Sequence, residues 1–222
     1  MRLVLVIAPR TQQDIERMRG LDLARDSIIE WRADDLSLEQ IATLSPFIKA
    51  IFDGYELLLT IRSQAEGGRY LGDDKAYQAH LREAYALVHP DYLDVEWVRG
   101  GPLLEELQDR TLIILSYHDW TSHVAVASLA RRMQQHHPFM VKIAVLVESQ
   151  ESAVDLIETT KIVTAAYPDQ NFTIIGMGEP GRRTRLMGDE TGSKWAYTSL
   201  DGGGAPGQIP LQVLQDKIRK EA

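Results

Sequence analysis

Lys142 stands in the run Phe139-Met140-Val141-Lys142-Ile143-Ala144-Val145, with no second charge among its neighbours. A lysine so flanked either snorkels to a surface or is held in a dry site. In the second case burial and nearby positive charge lower its proton affinity and make the amine a nucleophile. Four other short stretches end in polar side chains two positions apart: Glu30 and Arg32, Thr60 and Arg62, Asp94 and Glu96, Ser116 and His118. In a strand, residues two apart share a face. Ionisable groups are costly to bury without partners, so the cheaper arrangement gathers them where they can pair. Together they offer a nucleophilic amine, an imidazole for proton transfer, and acids and guanidinium groups for a polar substrate. Each also has a plainer reading. A strand-terminal Arg or Glu is often a solvated end, and His118 can be an ordinary polar residue after a strand. The histidines at 80, 89, 136 and 137 are expected to face solvent.

The elements that must position these side chains follow from the apolar pattern. Strands are expected over residues 3–8, 27–32, 57–62, 92–97, 111–118, 139–145, 172–177 and 195–198. Between them run helical stripes: Leu38, Ile41, Leu44 and Ile48; Tyr77, Leu81, Tyr85 and Val88; Ala125, Leu129 and Met133; Leu211, Leu214 and Ile218. Ser37 with Gln40 forms a capping box at the start of the second helix. Strands alternating with helices imply parallel pairing through crossovers. Eight such units point to an α/β fold, a closed (β/α)₈ TIM barrel, with residues 1–222 as one catalytic domain. An open doubly wound sheet normally carries a Gly-rich turn after its first strand, where this chain has Pro9-Arg10-Thr11. In a barrel, the charged strand ends meet at the C-terminal mouth, the catalytic face. The Gly-rich stretch 200–208 follows the last strand onto that face.

Composition narrows the classes. A chain of 222 residues can bury a full core without disulfides. It has no cysteine, which excludes thiolate zinc sites and cysteine nucleophiles and fits a cytoplasmic location. A net charge of −8 without a long basic run argues against nucleic acid as partner. The opening apolar run is too short to span a membrane and lacks the features of a signal peptide.

The motifs at the strand ends resemble those of the type I 3-dehydroquinate dehydratases over nearly the whole chain. The matching pieces are Glu30-Trp31-Arg32; Thr60-Ile61-Arg62 followed by Glu66-Gly67-Gly68; Ser116-Tyr117-His118-Asp119; Val141-Lys142-Ile143-Ala144; Gly176-Met177-Gly178 through Gly181 to Thr184-Arg185-Leu186; and Ala205-Pro206-Gly207-Gln208. Each is weak alone, but six in one order are specific. The resemblance implies a hydro-lyase of the shikimate pathway that needs neither metal nor cofactor. Lys142 would form the Schiff base, His118 would be the acid and base, and Glu66 would orient His118. Arg185 and Gln208 would take the substrate carboxylate, and Glu30, Arg32 and Arg62 the ring hydroxyls. Asp94 and Glu96 would balance charge behind them. The stretches 178–192 and 200–208 would close over substrate, and homodimers are common in the family. Two positions depart from its pattern: Gly204 stands where serine is usual, and Thr184 replaces a serine but keeps the hydroxyl.

Rival readings remain at this stage. A Schiff-base aldolase or transaldolase would share the buried lysine but needs a phosphate cradle, and Gly181-Arg182-Arg183-Thr184-Arg185 offers none. A metal-dependent barrel lyase would use Glu30, Asp94, Glu96 and His118 as ligands. A catalytically silent metabolite binder would have no use for an intact Lys142, His118 and Glu66.

Overall fold

Each apolar run expected as a strand forms one. In the computed structural model, which describes residues 1–200 and 207–221, the strands are β1 (Arg2–Ile7), β2 (Ile28–Arg32), β3 (Glu56–Thr60), β4 (Tyr92–Glu96), β5 (Leu112–Asp119), β6 (Met140–Leu146), β7 (Asn171–Met177) and β8 (Trp195–Ser199). A two-residue strand, β9 (Ile209–Pro210), was not expected. All pairings are parallel, in the order β7-β6-β5-β4-β3-β2-β1-β8-β9. The strands curl round into the expected α/β barrel, with β8 brought back beside β7.

Helices cover the outside of the sheet: α1 (Gln12–Glu16), α2 (Leu38–Ile51), α3 (Asp74–Val88), α4 (Trp97–Gly100), α5 (Leu103–Leu107), α6 (Val126–Gln134), α7 (Gln150–Ala166), α8 (Gly188–Thr191) and α9 (Leu211–Glu221). The Ser37–Gln40 capping box starts α2 as expected, and Ile41, Leu44 and Ile48 are buried beneath it. In α3 Tyr77, Leu81 and Val88 are buried. The α6 stripe begins one residue later than its spacing suggested, because Ala125 is the exposed cap and Val126 turns inward. Ile218 and its stripe position fall among side chains outside those described. Among the described residues no helix is long and apolar enough to cross a membrane.

Alternation splits the core into two layers. Leu3, Leu5, Ile29, Trp31, Leu59, Ile61, Leu93 and Val95 point out of the barrel and pack with the helix stripes. Val4, Ile28, Leu58, Tyr92, Ile114, Met140 and Trp195 point inward and fill its floor. There Tyr92 meets Trp195 edge-on, with ring centres 5.1 Å apart, and Phe139 at 5.4 Å. Below them Arg2 pairs with Glu56, and its Nη1 donates to Tyr92 Oη at 3.2 Å.

The barrel closes between β7 and β8 without a backbone ladder among the described residues. At the lower end Trp195 N donates to Thr173 Oγ1 (3.2 Å), Ile174 N to Ser193 Oγ (3.1 Å) and Lys194 N to Phe172 O (2.8 Å). Higher up, the 3₁₀ turn Pro180–Leu186 lies against β7. Thr184 Oγ1 accepts from Gly176 N at 2.8 Å and donates to Gly181 O at 2.7 Å. The hydroxyl that threonine keeps at this position thus ties the turn to the strand. On the opposite side β9 adds to the upper end of β8. Gly207, at φ +76°, lies so close to Gly178 that a Cβ there would stand 2.2 Å from the Gly178 carbonyl oxygen. A side chain would push the two loops apart.

Candidate active site

Above the apolar floor the inward residues of β2 to β6 are polar or charged except Ala144, and the polar ones form one hydrogen-bonded layer. Arg62, 2% exposed, is its hub. Its Nη2 donates to Asp94 Oδ1 at 2.7 Å; its Nη1 reaches Ser116 Oγ (2.9 Å), Glu66 Oε2 (3.1 Å) and Glu96 Oε1 (3.2 Å). Ser116 Oγ donates to Asp94 Oδ1 at 2.6 Å. Asp94 and Glu96 therefore sit where charge balance placed them. Burial pushes the Asp94 carboxyl up, but Arg62, Lys142 and the Ser116 hydroxyl outweigh it and hold it below the usual carboxylate range.

Lys142, 4% exposed, does not snorkel. Its Nζ lies 3.4 Å from Asp94 Oδ2 and 3.5 Å from Glu30 Oε1, and Glu30 Oε1 also accepts from Thr60 Oγ1 at 2.8 Å. This corrects one expectation: the charges nearest the amine are two carboxylates, not cations. The inward alternation of β2 and β4 makes it so, since Glu30 and Asp94 occupy the positions below Arg32 and Glu96.

His118 and Glu66 meet although they are 52 residues apart: Nδ1 and Oε2 are separated by 2.9 Å. The turn that carries Glu66 (Gln64–Glu66) ends in Gly67 at φ +83°. A Cβ at Gly67 would stand 2.5 Å from the Trp120 ring, so glycine lets the indole lie against this backbone. Burial, then the charges of Arg62, Lys142, Arg32 and Arg185, hold the His118 imidazole well below its ordinary range. Burial pushes Glu66 up to about 8, against the pull of Arg62 and with the push of Glu96 and Asp94. The imidazole is neutral at neutral pH, with Nδ1 engaged and Nε2 left for a reactant.

Above this layer opens a cavity of about 590 Å³. Seven of the candidate residues, Glu30, Arg32, Arg62, His118, Lys142, Arg185 and Gln208, line it, and Glu66 stands behind His118. Arg32 Nε is held by Asp34 Oδ1 at 3.0 Å, and the same oxygen accepts from Arg62 N at 2.8 Å. Arg185 is 6% exposed, has no carboxylate partner among the described residues, and its Nε has no hydrogen-bond partner there. Burial alone lowers its proton affinity to about 10. A buried guanidinium of this kind is a seat for an anion brought from outside. The ligands a metal reading required are otherwise occupied, since Asp94 and Glu96 face Arg62. Among the described residues no group of three or more acidic or imidazole side chains is placed to hold a metal ion.

The family model of type I 3-dehydroquinase matches residues 3–219. The chain belongs to the type I 3-dehydroquinase family. Its relatives include a 3-dehydroquinate dehydratase of Streptococcus mutans serotype c, 37% identical over 219 residues that cover 97% of both chains. Another, of Streptococcus equi subsp. zooepidemicus, is 35% identical over 95% of both. Among solved structures, the type I 3-dehydroquinate dehydratase of Clostridium difficile with covalently modified comenic acid has the same fold. Its TM-score is 0.88 at 24% identity, covering 99% of this chain and 91% of that one. The Aquifex aeolicus 3-dehydroquinate dehydratase gives 0.78 at 26%, covering 99% and 98%. As a type I 3-dehydroquinase the chain is a carbon–oxygen hydro-lyase that dehydrates 3-dehydroquinate by way of a lysine Schiff base.

Within this type I 3-dehydroquinase, sequence reasoning passed over two residues of the site. Asp34, which braces Arg32 and the Arg62 backbone, lies two positions beyond Arg32 and was visible by the same alternation. Tyr197 lies on the inner face of β8 between Trp195 and Ser199, with its ring 4.1 Å from Lys142 Nζ. The histidine at 80 is not solvent-facing as expected but half-buried, its ring 5.2 Å from that of Tyr70, whereas His89, His136 and His137 are exposed. Of the two stretches expected to close over substrate, 178–192 is built as the 3₁₀ turn and α8. Residues 201–206 of the other, Gly204 among them, lie outside the described residues.

Proposed function

We propose that Lys142 is the Schiff-base lysine of this dehydratase, with His118 as its acid and base and Glu66 as the group that orients His118. The observation that supports it is a buried amine and a neutral, hydrogen-bonded imidazole lining one cavity. The Lys142 amine adds to the ketone of 3-dehydroquinate, water leaves, and the iminium drains electrons from the adjacent C–H bond. His118 Nε2 takes that proton. The enamine expels the hydroxyl at C1, and His118 returns the proton to it as it departs, so the ring is ready for another cycle. Hydrolysis of the iminium then frees 3-dehydroshikimate and Lys142. Glu66 accepts from Nδ1 through Oε2, the oxygen to which Arg62 also donates, so a proton on this carboxyl sits on Oε1 and the ring keeps the tautomer whose Nε2 is basic.

Substrate is held by its charge. Arg185 takes the carboxylate in a paired hydrogen bond, with Gln208 beside it on the cavity wall. Glu30 and Arg32 contact ring hydroxyls. Arg62 lines the cavity floor, but most of its donors serve Asp94, Glu96, Glu66 and Ser116, so it acts more by fixing these groups than by gripping the ring.

The reading takes residues 1–222 as one catalytic domain, because the cavity draws on residues from Val6 in β1 to Gln208. It places the enzyme in the cytoplasm, acting on a small molecule and on neither nucleic acid nor membrane. Association as a homodimer is measured by sedimentation velocity. The central test is trapping with borohydride in the presence of 3-dehydroquinate, followed by digestion and mass spectrometry. A reduced adduct on the peptide carrying Lys142 is expected. Product formation with no adduct there would remove Lys142 from this role.

A further inference from the structure

The nitrogen of Lys142 has a third neighbour besides Glu30 and Asp94. The ring of Tyr197 lies with its centre 4.1 Å from Nζ, inside the distance at which a cation is drawn to an aromatic face. Tyr197 is 4% exposed, lines the cavity, and is backed by Trp195 with ring centres 6.4 Å apart. Its hydroxyl has no hydrogen-bond partner among the described residues. The part of this side chain that meets the lysine is its face.

Condensation changes what the nitrogen can bind. Counted from ammonium and ketone, nitrogen bonds to the carbonyl carbon, two of its protons pass to the carbonyl oxygen, and that oxygen leaves as water. The product is an iminium with one N–H, and the positive charge is conserved. An ammonium has three donors and can serve both carboxylates at once. The iminium, with one, can donate to only one of them. An aromatic face attracts the charge itself and needs no proton, so it is the one neighbour whose attraction does not depend on the donors that condensation removes.

We propose that the face of Tyr197 holds the cationic nitrogen of Lys142 through the iminium stage, as a further catalytic residue of the dehydration. This rests on the reading of Lys142 as the Schiff-base lysine. It gives Tyr197 a role separate from substrate binding, and it makes the phenol hydroxyl dispensable.

The test replaces Tyr197 by phenylalanine and then by mono-, di- and trifluorophenylalanine, which drain the ring face of electron density while keeping its shape. Borohydride-trapped adduct and kcat are measured for each, with melting temperature as a check on folding. Tyr197→Phe is expected to trap within about twofold of the wild type, since it keeps the face. Trapping and kcat are expected to fall stepwise with each fluorine, to about thirtyfold at three, the scale of a desolvated cation–π contact. An unchanged response across the fluorinated series, with adduct still forming on Lys142 in the wild type, overturns the proposal alone. A collapse already at Tyr197→Phe does the same, because the hydroxyl would then be the working part. No adduct on Lys142 in the wild type overturns the Schiff-base reading and this proposal with it.

Discussion

The two ends of the barrel use the same chemical pair to different effect. At the floor, Arg2 faces Glu56, with side chains 31% and 44% exposed. Water screens such a pair, and its contribution is below about 1 kcal/mol. Closure there comes from Tyr92, Phe139 and Trp195, whose rings fill the space between strands. At the mouth, the Arg62 side chain is 3% exposed and holds those of Glu66, Asp94 and Glu96, which are 7%, 0% and 0% exposed. Dry ion pairs of that sort seldom stabilise a fold more than a well-packed apolar cluster would. What they do is set the proton affinities of one another and hold side chains in place. The floor is built for stability and the mouth for chemistry.

Three variants probe that division, beginning with the largest effect. His118→Ala is expected to lower kcat by about a hundred- to ten-thousandfold, the range for loss of a general acid and base. In the intact enzyme, the acid limb of kcat/KM should fall below pH 6.5, because burial and four cations depress the imidazole. The same shift sets a sign for stability. A folded-state affinity below the unfolded one means the contribution is full above the unfolded value and is lost as pH falls through the folded value. Titration of melting temperature toward acid in wild type and His118→Ala measures it, and a smaller loss in the variant is expected. An acid limb above pH 6.5 would place the working imidazole in a wetter setting than the one seen.

Arg185→Leu comes second. Loss of a paired, charge-assisted contact to the carboxylate should raise KM by about thirtyfold with a smaller change in kcat. Because Arg185 has no carboxylate partner among the described residues, the same change should raise the melting temperature. A variant both weaker in binding and less stable would mean that the guanidinium also supports the fold. The smallest effect belongs to the floor: Glu56→Gln should cost less than about 1 kcal/mol in denaturant melts and leave kcat/KM alone. Slower catalysis in that variant would break the contrast between the two ends.

How much of this was legible follows from what periodicity encodes. The inward faces of β2 to β6 were readable because side chains alternate, so Glu30, Arg32, Arg62, Asp94, Glu96, His118 and Lys142 could be sent to one mouth from spacing alone. All eight expected strands lie within two residues of their predicted bounds. Alternation does not tell which strands face one another across the barrel. That is why Lys142 was expected beside positive charge and is found between Glu30 and Asp94. Loops have no period at all. The meeting of Glu66 with His118 was available only through the family motif, and the turn at Gly67 that produces it leaves no trace in the apolar pattern. His80 escaped for a related reason: a half-buried helix position beside a loop tyrosine looks like any polar residue on a helix surface.

The side-chain seam between β7 and β8 has a consequence for the order in which the barrel comes apart and together. Seven strand junctions from β7 round to β8 are laced by backbone hydrogen bonds; among the described residues the eighth rests on Thr173, Ser193 and one amide from Lys194. Amides flanking it should exchange with solvent through smaller openings than those of the central strands. Arg185 follows β7 and Gln208 precedes β9, on opposite banks of that junction. In the proposed binding mode, a carboxylate held between them spans the gap. The substrate is then the last stave of the barrel, and its arrival should slow exchange along a seam that the described residues fasten mainly through side chains.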